Sequence, residues 1–375
     1  MKLYITGGGT GGHVTPGLAI AKYCEQKRKD TVVRFAGTSG GIESRLVPRE
    51  GYPLDIIEIS GLRRSFKPDA VMHNFKAVKQ TLTAQMKAKK LLLEHKPDCV
   101  IGCGGYVSFP IVSAAQKLGI PTILLEVNAL PGVTTKMLAK KADKVLVCFE
   151  QAKKLLGDSD KIYMTGSPVR TEIVFADRKA AREKMKLKED DRLVVSFWGS
   201  MGAKYMNEHM ADMITREIRE GVSFYHVHAT GSAASKWMPK MIRDKGVNPE
   251  TNENVTITEY IYDMADKLAA ADLVLCRAGA ATIGELCALG RASIMVPSPY
   301  VAENHQEKNA RALEHQGACE VLLESEANGS RMFEMTKALL SDDKKREQMA
   351  QNAAKLATLD AGEKIYQHIL DVIKK

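Results

Sequence analysis

At 375 residues, with 45% hydrophobic and 26% charged residues, the chain is long enough for two globular domains and has the composition of a soluble protein. No apolar run reaches the roughly 20 residues of a membrane span, no signal-peptide pattern precedes the first strand, and seven scattered cysteines fit reduced thiols, so we expect a cytoplasmic protein. The net charge of +9 is concentrated between Gly61 and Lys96, where nine basic residues accompany two acidic ones.

The chain begins with a pattern typical of a strand, a glycine loop and a helix start. Leu3-Tyr4-Ile5 predicts the strand, Thr6 to Gly12 form the loop, and Thr15 and Pro16 suit the N-cap and first position of a helix. Free N–H groups and the helix dipole make such a loop an anion site. His13 lies at its mouth, where an imidazole can take up a proton. A capping or structural histidine is the alternative.

Two common nucleotide-binding motifs do not fit this loop. Gly7-x-Gly9-x-x-Gly12 matches the dinucleotide fingerprint, but the second predicted strand, Thr31 to Ala36, is followed by Gly37-Thr38-Ser39 without the carboxylate that holds a ribose. A phosphate-binding P-loop needs Lys where this chain has His13. The sequence therefore disfavours both an NAD enzyme and a nucleotide triphosphatase.

Short apolar strands alternate with helical stretches through the first half, which predicts a parallel sheet covered by helices. The further strands expected there are Val32–Ala36, Ile56–Ile59, Cys99–Ile101, Thr122–Leu125, Lys144–Cys148 and Ile162–Met164. Ligands bind at the carboxyl ends of such strands, so the loops Gly7–His13, Gly102–Tyr106 and Glu126–Asn128 should converge. For Glu126 and Asn128, ordinary loop capping remains the alternative.

The basic segment predicts an amphipathic helix. Its apolar positions recur at helical spacing and should mostly face the core; they are Val71, Phe75, Val78, Leu82 and Met86. Exposed Leu62, Phe66 or Met72 beside so many cations would suit an anionic membrane surface. Nucleic acid is the competing ligand, but aromatic residues are only 6% and no nucleic-acid motif is present.

After a turn-rich stretch at Thr165–Arg170, which resembles a linker, the pattern starts again. Leu193–Phe197 predicts a strand and Gly199–Gly202 a glycine loop before a long helix, which indicates two similar domains in tandem. The further strands expected are Phe224–His228, Val255–Thr258, Leu273–Cys276 and Ala292–Val296.

Nucleotide chemistry is indicated by the segment from Leu273 to Leu286. A strand enters a small-residue turn, a helix begins near Thr282, and Glu285 in its first turn could accept both hydroxyls of a ribose. The polar cluster from Glu303 to Ala310 could read sugar hydroxyls or simply cap a helix. A helix near the C-terminus is long enough to reach back to the first domain.

Four motifs together resemble the MurG family, the bacterial glycosyltransferases that make the peptidoglycan precursor lipid II. They are Thr10-Gly11-Gly12-His13 with Pro16-Gly17, Gly104-Gly105-Tyr106-Val107-Ser108, Thr165-Gly166-Ser167-Pro168-Val169-Arg170, and Cys276-Arg277-Ala278-Gly279 leading to Glu285. This resemblance implies an α/β GT-B fold, with two Rossmann-like domains whose parallel sheets face an interdomain cleft. We expect an acceptor-binding, membrane-associating domain over 1–165, a UDP-sugar-binding domain over 166–351, and a helix within 352–375 that packs on the first domain.

The resemblance also implies a reaction. N-acetylglucosamine would pass from UDP to the 4-hydroxyl of the muramoyl sugar in lipid I with inversion, for peptidoglycan synthesis and hence cell shape and division. His13 is the expected base and Glu126 its rival, and neither a metal nor another cofactor is required. Asp158-Ser159-Asp160, in a polar turn, reads as solvated surface and not as a metal site.

Carried over residue by residue, the family's contacts fall on two sets of positions. Those for UDP-N-acetylglucosamine are Thr10, Gly11, Gly12, Asn128, Arg170, Ser200, Ile261, Ala280, Ala281, Thr282, Ile283, Gly284, Glu285 and Gln306. Those for the acceptor diphosphate or lipid are Gly104, Gly105, Tyr106, Arg63 and Arg64. The chain departs from the family at Leu125 and Val127, where His and Gln are frequent, and at Phe109, where glycine is frequent.

The expected partners are UDP-N-acetylglucosamine, lipid I, the anionic inner face of the cell membrane and other cell-wall synthesis proteins, with no nucleic acid. The expected location is peripheral, at the cytoplasmic face of the membrane. Another GT-B glycosyltransferase with a lipid or small-molecule acceptor would share the donor domain but need not share the basic segment. A sugar-nucleotide-binding protein without catalysis would keep Glu285 and Gln306 without needing His13.

Overall fold

The computed structural model describes residues 1–59, 68–157, 159–199, 202–301 and 304–374, with side chains omitted for 68–79 and 82. The chain divides into two compact units. The first comprises Met1–Val169 and Thr358–Lys375, and the second comprises Arg170–Ala357. The chain passes from the first unit to the second after Val169 and returns to the first after Ala357. Both points lie a few residues after the boundaries expected at 165/166 and 351/352.

Strands and helices alternate throughout the first unit. They are β1 (Lys2–Thr6), α1 (Gly11–Lys27), β2 (Val32–Gly37), α2 (Glu43–Arg49), β3 (Leu54–Ile56), α3 (Pro68–His95), β4 (Cys99–Gly102), α4 (Ser108–Leu118), β5 (Thr122–Glu126), α5 (Val133–Ala139), β6 (Lys144–Val147), α6 (Glu150–Leu156) and β7 (Ile162–Met164). The strands form one seven-stranded sheet in the order β3-β2-β1-β4-β5-β6-β7, and every neighbouring pair is parallel. The central strands are almost wholly buried, as expected for a sheet covered on both faces.

The second unit repeats the alternation around a second parallel sheet. Its elements are α7 (Thr171–Val174), α8 (Arg178–Lys184), β8 (Leu193–Phe197), α9 (Lys204–Glu220), β9 (Tyr225–Ala229), α10 (Trp237–Asp244), a 3₁₀ turn (Pro249–Thr251), β10 (Val255–Thr258), α11 (Met264–Ala270), β11 (Leu273–Cys276), α12 (Ala280–Leu289), β12 (Ser293–Met295), α13 (His305–Glu314), β13 (Glu320–Val321), α14 (Gly329–Ser341) and α15 (Asp343–Lys355). The order of the six strands is β10-β9-β8-β11-β12-β13. In both sheets the first strand of the unit lies centrally, next to the point where the strand order reverses.

The last helix, α16 (Ala361–Ile373), belongs to the first unit. Glu363 accepts a hydrogen bond from the Tyr23 hydroxyl at 2.7 Å and pairs with Lys27 at 2.6 Å. Farther along α16, Asp371 pairs with the ammonium group of the buried Lys144 at 2.7 Å. These polar contacts join the end of the chain to α1 and β6. Among the described residues, no helix has the length and apolar character of a membrane span.

Two local predictions of element bounds in the first unit are wrong. The third strand is Leu54–Ile56 instead of Ile56–Ile59, because its partner β2 ends at Gly37, which pairs with Ile56. Helix α1 starts at Gly11, and not at Pro16 with Thr15 as its N-cap. Gly11 and Gly12 already adopt helical geometry, and Pro16 lies inside the helix.

On α3, Met86 is 72% exposed, although the pattern assigned it to the core. The buried face carries Ala84, Ala88 and Leu92, whose small alanine side chains allow α4 to pack closely. The side chains of Val71, Phe75, Val78 and Leu82 lie outside those described, as do residues Leu62 and Phe66 and the side chain of Met72.

Candidate active site

The carboxyl ends of β1 and β4 bring two glycine loops of the first unit into contact. The Cys103 N–H donates to the Thr6 carbonyl at 2.7 Å, which joins the loops where they leave the sheet. A Cβ atom on Gly105 would lie 2.3 Å from the Gly8 carbonyl oxygen, and Gly105 also has a φ of +78°. Both the clash and the left-handed backbone exclude larger residues. The predicted convergence of these two loops is therefore present.

His13 lies where the two loops meet, in the first turn of α1. Its Nδ1 is 3.2 Å from the Gly8 carbonyl oxygen and 3.2 Å from Thr10 Oγ1. Because a carbonyl can only accept, the contact with Gly8 requires the proton on Nδ1 in neutral His13, and Nε2 is then the basic nitrogen. The ring lies against the second loop, since a Cβ on Gly104 would be 2.8 Å from Cδ2 of His13. The site thus holds an oriented imidazole.

A buried carboxylate that sequence reasoning missed supports the first loop. Glu43 at the start of α2 is fully buried and accepts from the Gly9 N–H at 3.2 Å. It also accepts from the N–H and hydroxyl of Thr38 at 2.9 and 2.7 Å. A Cβ on Gly8, Gly37 or Gly41 would come within 2.7 Å of its side chain. This clustering of glycines was the available signal, but it became interpretable only once the fold placed them around one residue.

Glu126 and Asn128 form a closed arrangement at the end of β5. One oxygen of the buried Glu126 accepts from the backbone N–H and the side-chain amide of Asn128, at 3.0 and 3.2 Å. The other accepts from the Gly132 N–H at 3.0 Å. Both carboxylate oxygens therefore bind donors of their own loop, which is the loop-capping alternative considered for these residues.

The remaining described candidates of the first unit belong to the two glycine loops or to the helix start that follows the first loop. Thr10 is the N-cap of α1, and Gly11 and Gly12 are its first residues. The Tyr106 ring, 36% exposed, covers Gly9, because a Cβ there would lie 3.2 Å from the ring. Burial, and then the charge of Glu43, raise the pKa of Tyr106. Its hydroxyl is therefore a hydrogen-bonding group and not a base at neutral pH.

In the second unit, Arg170 and Glu285 form an ion pair beside the start of α12. Nε of Arg170 donates to Oε1 of Glu285 at 2.7 Å, and the carboxylate is mostly buried. Burial acts against the charge of Arg170, but Glu285 outweighs it and raises the pKa of the guanidinium. Since α12 begins at Ala280 and not near Thr282, Glu285 lies in its second turn, contrary to the predicted first turn. The pair holds the carboxylate in one orientation.

Other candidates in this unit follow the carboxyl ends of β10, β11 and β12 in the chain. Ile261 is buried after β10, and Ala280 to Gly284 are the first five residues of α12. The side-chain oxygen of Gln306 accepts from the Ser298 N–H at 2.9 Å. Arg63, Arg64 and Ser200 lie outside the described residues, as does Asp158 of the acidic turn.

Arg277 belongs to a recognised motif, but its role was not predicted. Its Nη2 is 2.5 Å from Oε2 of the buried Glu324, and its Nη1 donates to the Val296 carbonyl at 3.1 Å. Burial lowers the pKa of Arg277 more than Glu324 raises it. This arginine joins the ends of β11 and β12 to the segment after β13, so it braces the edge of the sheet from which the Glu285 helix starts.

Two parallel-sheet Rossmann-like units, each with a loop and helix start at its carboxyl edge, are the architecture of the GT-B fold class. The match to glycosyltransferase family 28 models covers residues 3–147 for the N-terminal domain and 193–365 for the C-terminal domain. The chain therefore belongs to glycosyltransferase family 28.

Curated relatives match from end to end. A protein of Acetivibrio thermocellus named UDP-N-acetylglucosamine--N-acetylmuramyl-(pentapeptide) pyrophosphoryl-undecaprenol N-acetylglucosamine transferase is 44% identical over 374 residues, covering 100% of this chain and 99% of its own. A protein of the same name from Ruminiclostridium cellulolyticum is 39% identical over 373 residues, with 100% of both chains covered. The crystal structure of Acinetobacter baumannii MurG superimposes with a TM-score of 0.74 at 27% identity and covers 99% of each chain.

Proposed function

We propose that this chain transfers N-acetylglucosamine from its UDP conjugate to the 4-hydroxyl of the N-acetylmuramoyl sugar of lipid I, giving lipid II. The observation that carries the proposal is the 44% identity, over the whole chain, to a relative named for this transfer. The chemistry of the described side chains agrees with it, because one unit offers an oriented imidazole and the other a buried carboxylate in the second turn of α12.

The second unit is the proposed donor-binding unit. Oε1 of Glu285 already accepts from Arg170, and the carboxylate retains lone pairs that can accept from ribose hydroxyls. The start of α12, which consists of the small residues Ala280 and Ala281, allows a ligand to approach the backbone closely. Ile261 and Gln306 are the proposed contacts for base and sugar. These features support a nucleotide-sugar site in this unit.

His13 is the proposed base. The 4-hydroxyl oxygen attacks C1 of N-acetylglucosamine, the bond between C1 and the UDP oxygen breaks, and the electron pair leaves with UDP. The hydroxyl proton passes to Nε2 of His13, the nitrogen left basic by the contact of Nδ1 with the Gly8 carbonyl. A single displacement inverts the anomeric carbon. Glu126 is the weaker candidate, because its oxygens accept from donors of its own loop.

The departing diphosphate gains negative charge and needs stabilisation. Helix starts supply it through free N–H groups and the dipole, and Arg170 and Ser200 are the proposed side-chain contributors. For the lipid-linked acceptor, the proposed contacts are Gly104, Gly105 and Tyr106 with Arg63 and Arg64. The scheme needs no metal ion or other cofactor, since positive groups of the protein balance the charge.

The assay that tests this function combines the purified protein with lipid I and a panel of UDP-sugars. We expect a product heavier by one N-acetylglucosaminyl residue, formed from UDP-N-acetylglucosamine but not from UDP-glucose or UDP-N-acetylgalactosamine. Transfer from one of these controls, or to a different lipid acceptor while lipid I remains unchanged, would instead support another GT-B glycosyltransferase.

Peripheral binding to an anionic membrane is the second part of the proposal. On α3, Met86 is 72% exposed and Leu93 is 54% exposed. These two residues lie on the side of the helix away from the buried Ala84 and Ala88. Lys89 and Lys90 are exposed between these two positions, and Lys87 lies beside them. Exposed apolar side chains among cations are typical of helices that lie on anionic lipid surfaces.

Vesicle flotation tests the membrane surface. Reversing the charges of Lys87, Lys89 and Lys90 to Glu should lower binding to phosphatidylglycerol vesicles by tenfold or more, since each cation contributes about 1 kcal/mol near such a surface. The matched control reverses three exposed lysines of the second unit, Lys236, Lys240 and Lys344. Equal loss in both variants, or no loss in either, would contradict a membrane surface on α3.

A further inference from the structure

One peptide group of the first glycine loop joins a buried carboxylate to the imidazole of His13. The N–H of the peptide between Gly8 and Gly9 donates to Oε2 of Glu43 at 3.2 Å. The carbonyl oxygen of the same peptide lies 3.2 Å from Nδ1 of His13. Because this peptide is planar and trans, its two polar groups point in opposite directions and cannot turn separately. A change in its orientation therefore alters the contact with Glu43 and the contact with His13 together.

Glycine on both sides makes this peptide easy to turn over. Neither Gly8 nor Gly9 has a Cβ that would oppose a half-turn of the peptide plane, and glycine adopts the φ of +82° at Gly9 as readily as a negative φ. In the turned orientation the carbonyl would face the Glu43 carboxylate, acceptor against acceptor, and the N–H would face His13. The loop sequence thus permits both orientations, and the contacts of the peptide select one.

Glu43 is held in the position that makes this selection. Its side chain is fully buried, and its other oxygen, Oε1, accepts from the N–H and the hydroxyl of Thr38 at 2.9 and 2.7 Å. A Cβ on Gly37 or Gly41 would come within 2.4 Å of this side chain, so the carboxylate has no room to move aside. Oε2 is thereby directed at the Gly9 N–H.

The orientation of the peptide decides which nitrogen of neutral His13 carries the proton. Oγ1 of Thr10 also lies 3.2 Å from Nδ1, but a hydroxyl can donate or accept and so permits either tautomer. The Gly8 carbonyl can only accept, so it requires the proton on Nδ1 and leaves Nε2 basic. The turned peptide would offer its N–H to Nδ1, place the proton on Nε2 and remove the base.

We infer that Glu43 is a positioning residue for the transfer reaction, which fixes the proton of His13 on Nδ1 through the peptide between Gly8 and Gly9. The inference rests on the proposed function, in which Nε2 of His13 takes the proton of the acceptor hydroxyl. A hydrogen bond to a carboxylate also polarises the peptide and makes its carbonyl a stronger acceptor for that proton. A glutamate that only closed the turn after β2 would need its contacts with Thr38 and none with Gly9.

The tautomer of His13 can be measured without any substrate. Proton–nitrogen correlation spectra of protein with isotopically labelled histidine distinguish a protonated from an unprotonated ring nitrogen, and His13→Gln identifies the signals of His13. At a pH where the ring is neutral, we expect the wild type to carry the proton on Nδ1. A wild type that carries it on Nε2 would overturn the inference, whether or not any variant folds.

Glu43→Gln tests the link itself. A glutamine that keeps its oxygen with the two donors of Thr38 turns its amide group toward the Gly9 N–H, donor against donor, which favours the turned peptide. We expect His13 to carry the proton on Nε2 in much of this variant, and kcat to fall about 10- to 100-fold while the Kd of UDP stays unchanged. A folded variant that keeps the proton on Nδ1 would show that Glu43 does not set the tautomer.

The matched control is Asp143→Asn. Asp143 also accepts from the N–H and the hydroxyl of one threonine, Thr122, at 2.8 and 3.4 Å, but at the start of β5, on the opposite edge of the sheet from the glycine loops. This variant should keep the wild-type tautomer and kcat, and an equal loss of kcat in both variants would contradict the positioning role. The spectra need no acceptor, so absence of transfer to lipid I would contradict the proposed function alone, and the tautomer would still decide the link to Glu43.

Discussion

The two units hold the main groups of their candidate sites in different ways. In the first unit, backbone meets backbone: Gly8 and Gly105 leave no room for a side chain between two loops, and His13 is held by a carbonyl oxygen. In the second unit the contacts are between side chains: Arg170 pairs with Glu285, and the buried Ser196 hydroxyl lies 2.7 Å from Nδ1 of His228. Steric changes should therefore damage the first site, and losses of polar groups should damage the second.

Adding one methyl group tests the backbone contact of the first unit. Gly105→Ala places a Cβ 2.3 Å from the Gly8 carbonyl, which forces the loops apart and displaces His13. We expect transfer to lipid I to fall on the order of 10²-fold, as for misplacements of about 1 Å at a catalytic group.

The control for strain alone is Gly119→Ala. Gly119 has a φ of +70°, close to the +78° of Gly105, but no described atom lies within 4 Å of its Cβ position. This variant should lose stability by about 1 kcal/mol from the left-handed backbone and retain activity. Equal activity in the two alanine variants would show that the contact between the loops is not needed.

Removing a carboxylate tests the second unit. Glu285→Ala should raise the Kd of UDP-N-acetylglucosamine about 10- to 100-fold, because charged hydrogen bonds of about 1.5–3 kcal/mol to the ribose are lost. Isothermal titration measures the affinity, and a melting curve identifies any loss of folded protein. A wild-type Kd in a folded variant would place the ribose elsewhere.

The smallest effect is expected where a polar side chain of the first unit has a structural task. Glu126→Gln replaces an acceptor of the loop N–H groups by a donor, which should reduce the free energy of unfolding by about 1–3 kcal/mol. Turnover of the folded variant should fall less than about tenfold, well below the effect of losing a general base. Loss of nearly all turnover with an unchanged melting curve would make Glu126 the base.

Much of the fold could be predicted because apolar runs and turn residues are local signals. The central strands at Cys99, Thr122 and Leu273 lie close to their predicted positions, since a strand buried on both faces must be continuously apolar. Pairing partners set what the local pattern could not. The third strand shifts to Leu54–Ile56 to match β2, and the two-residue β13 at Glu320–Val321 has no pattern of its own.

The position of His13 beside the glycine loops was predictable from a local motif, and contacts between distant residues were not. Glu43 contacts Gly9 across 34 positions, and Ser196 meets His228 across 32. The available signal in β9 was two histidines, His226 and His228, on one face of a buried strand, but their partners emerge only in three dimensions. The donor role proposed for Arg170 came from family resemblance, and that for Glu285 came first from the strand, turn and helix pattern around it. Their mutual pairing came from the structure.

The central proposal is that the first unit supplies the base and the second unit binds the donor. Turnover and UDP affinity, compared in His13→Ala, test it most directly. Turnover with saturating lipid I and UDP-N-acetylglucosamine should fall about 10²- to 10⁴-fold, because the proposed proton acceptor, Nε2 of His13, is lost. The Kd of UDP, measured by titration on the same preparation, should remain at the wild-type value. Near-normal turnover would contradict His13 as the base.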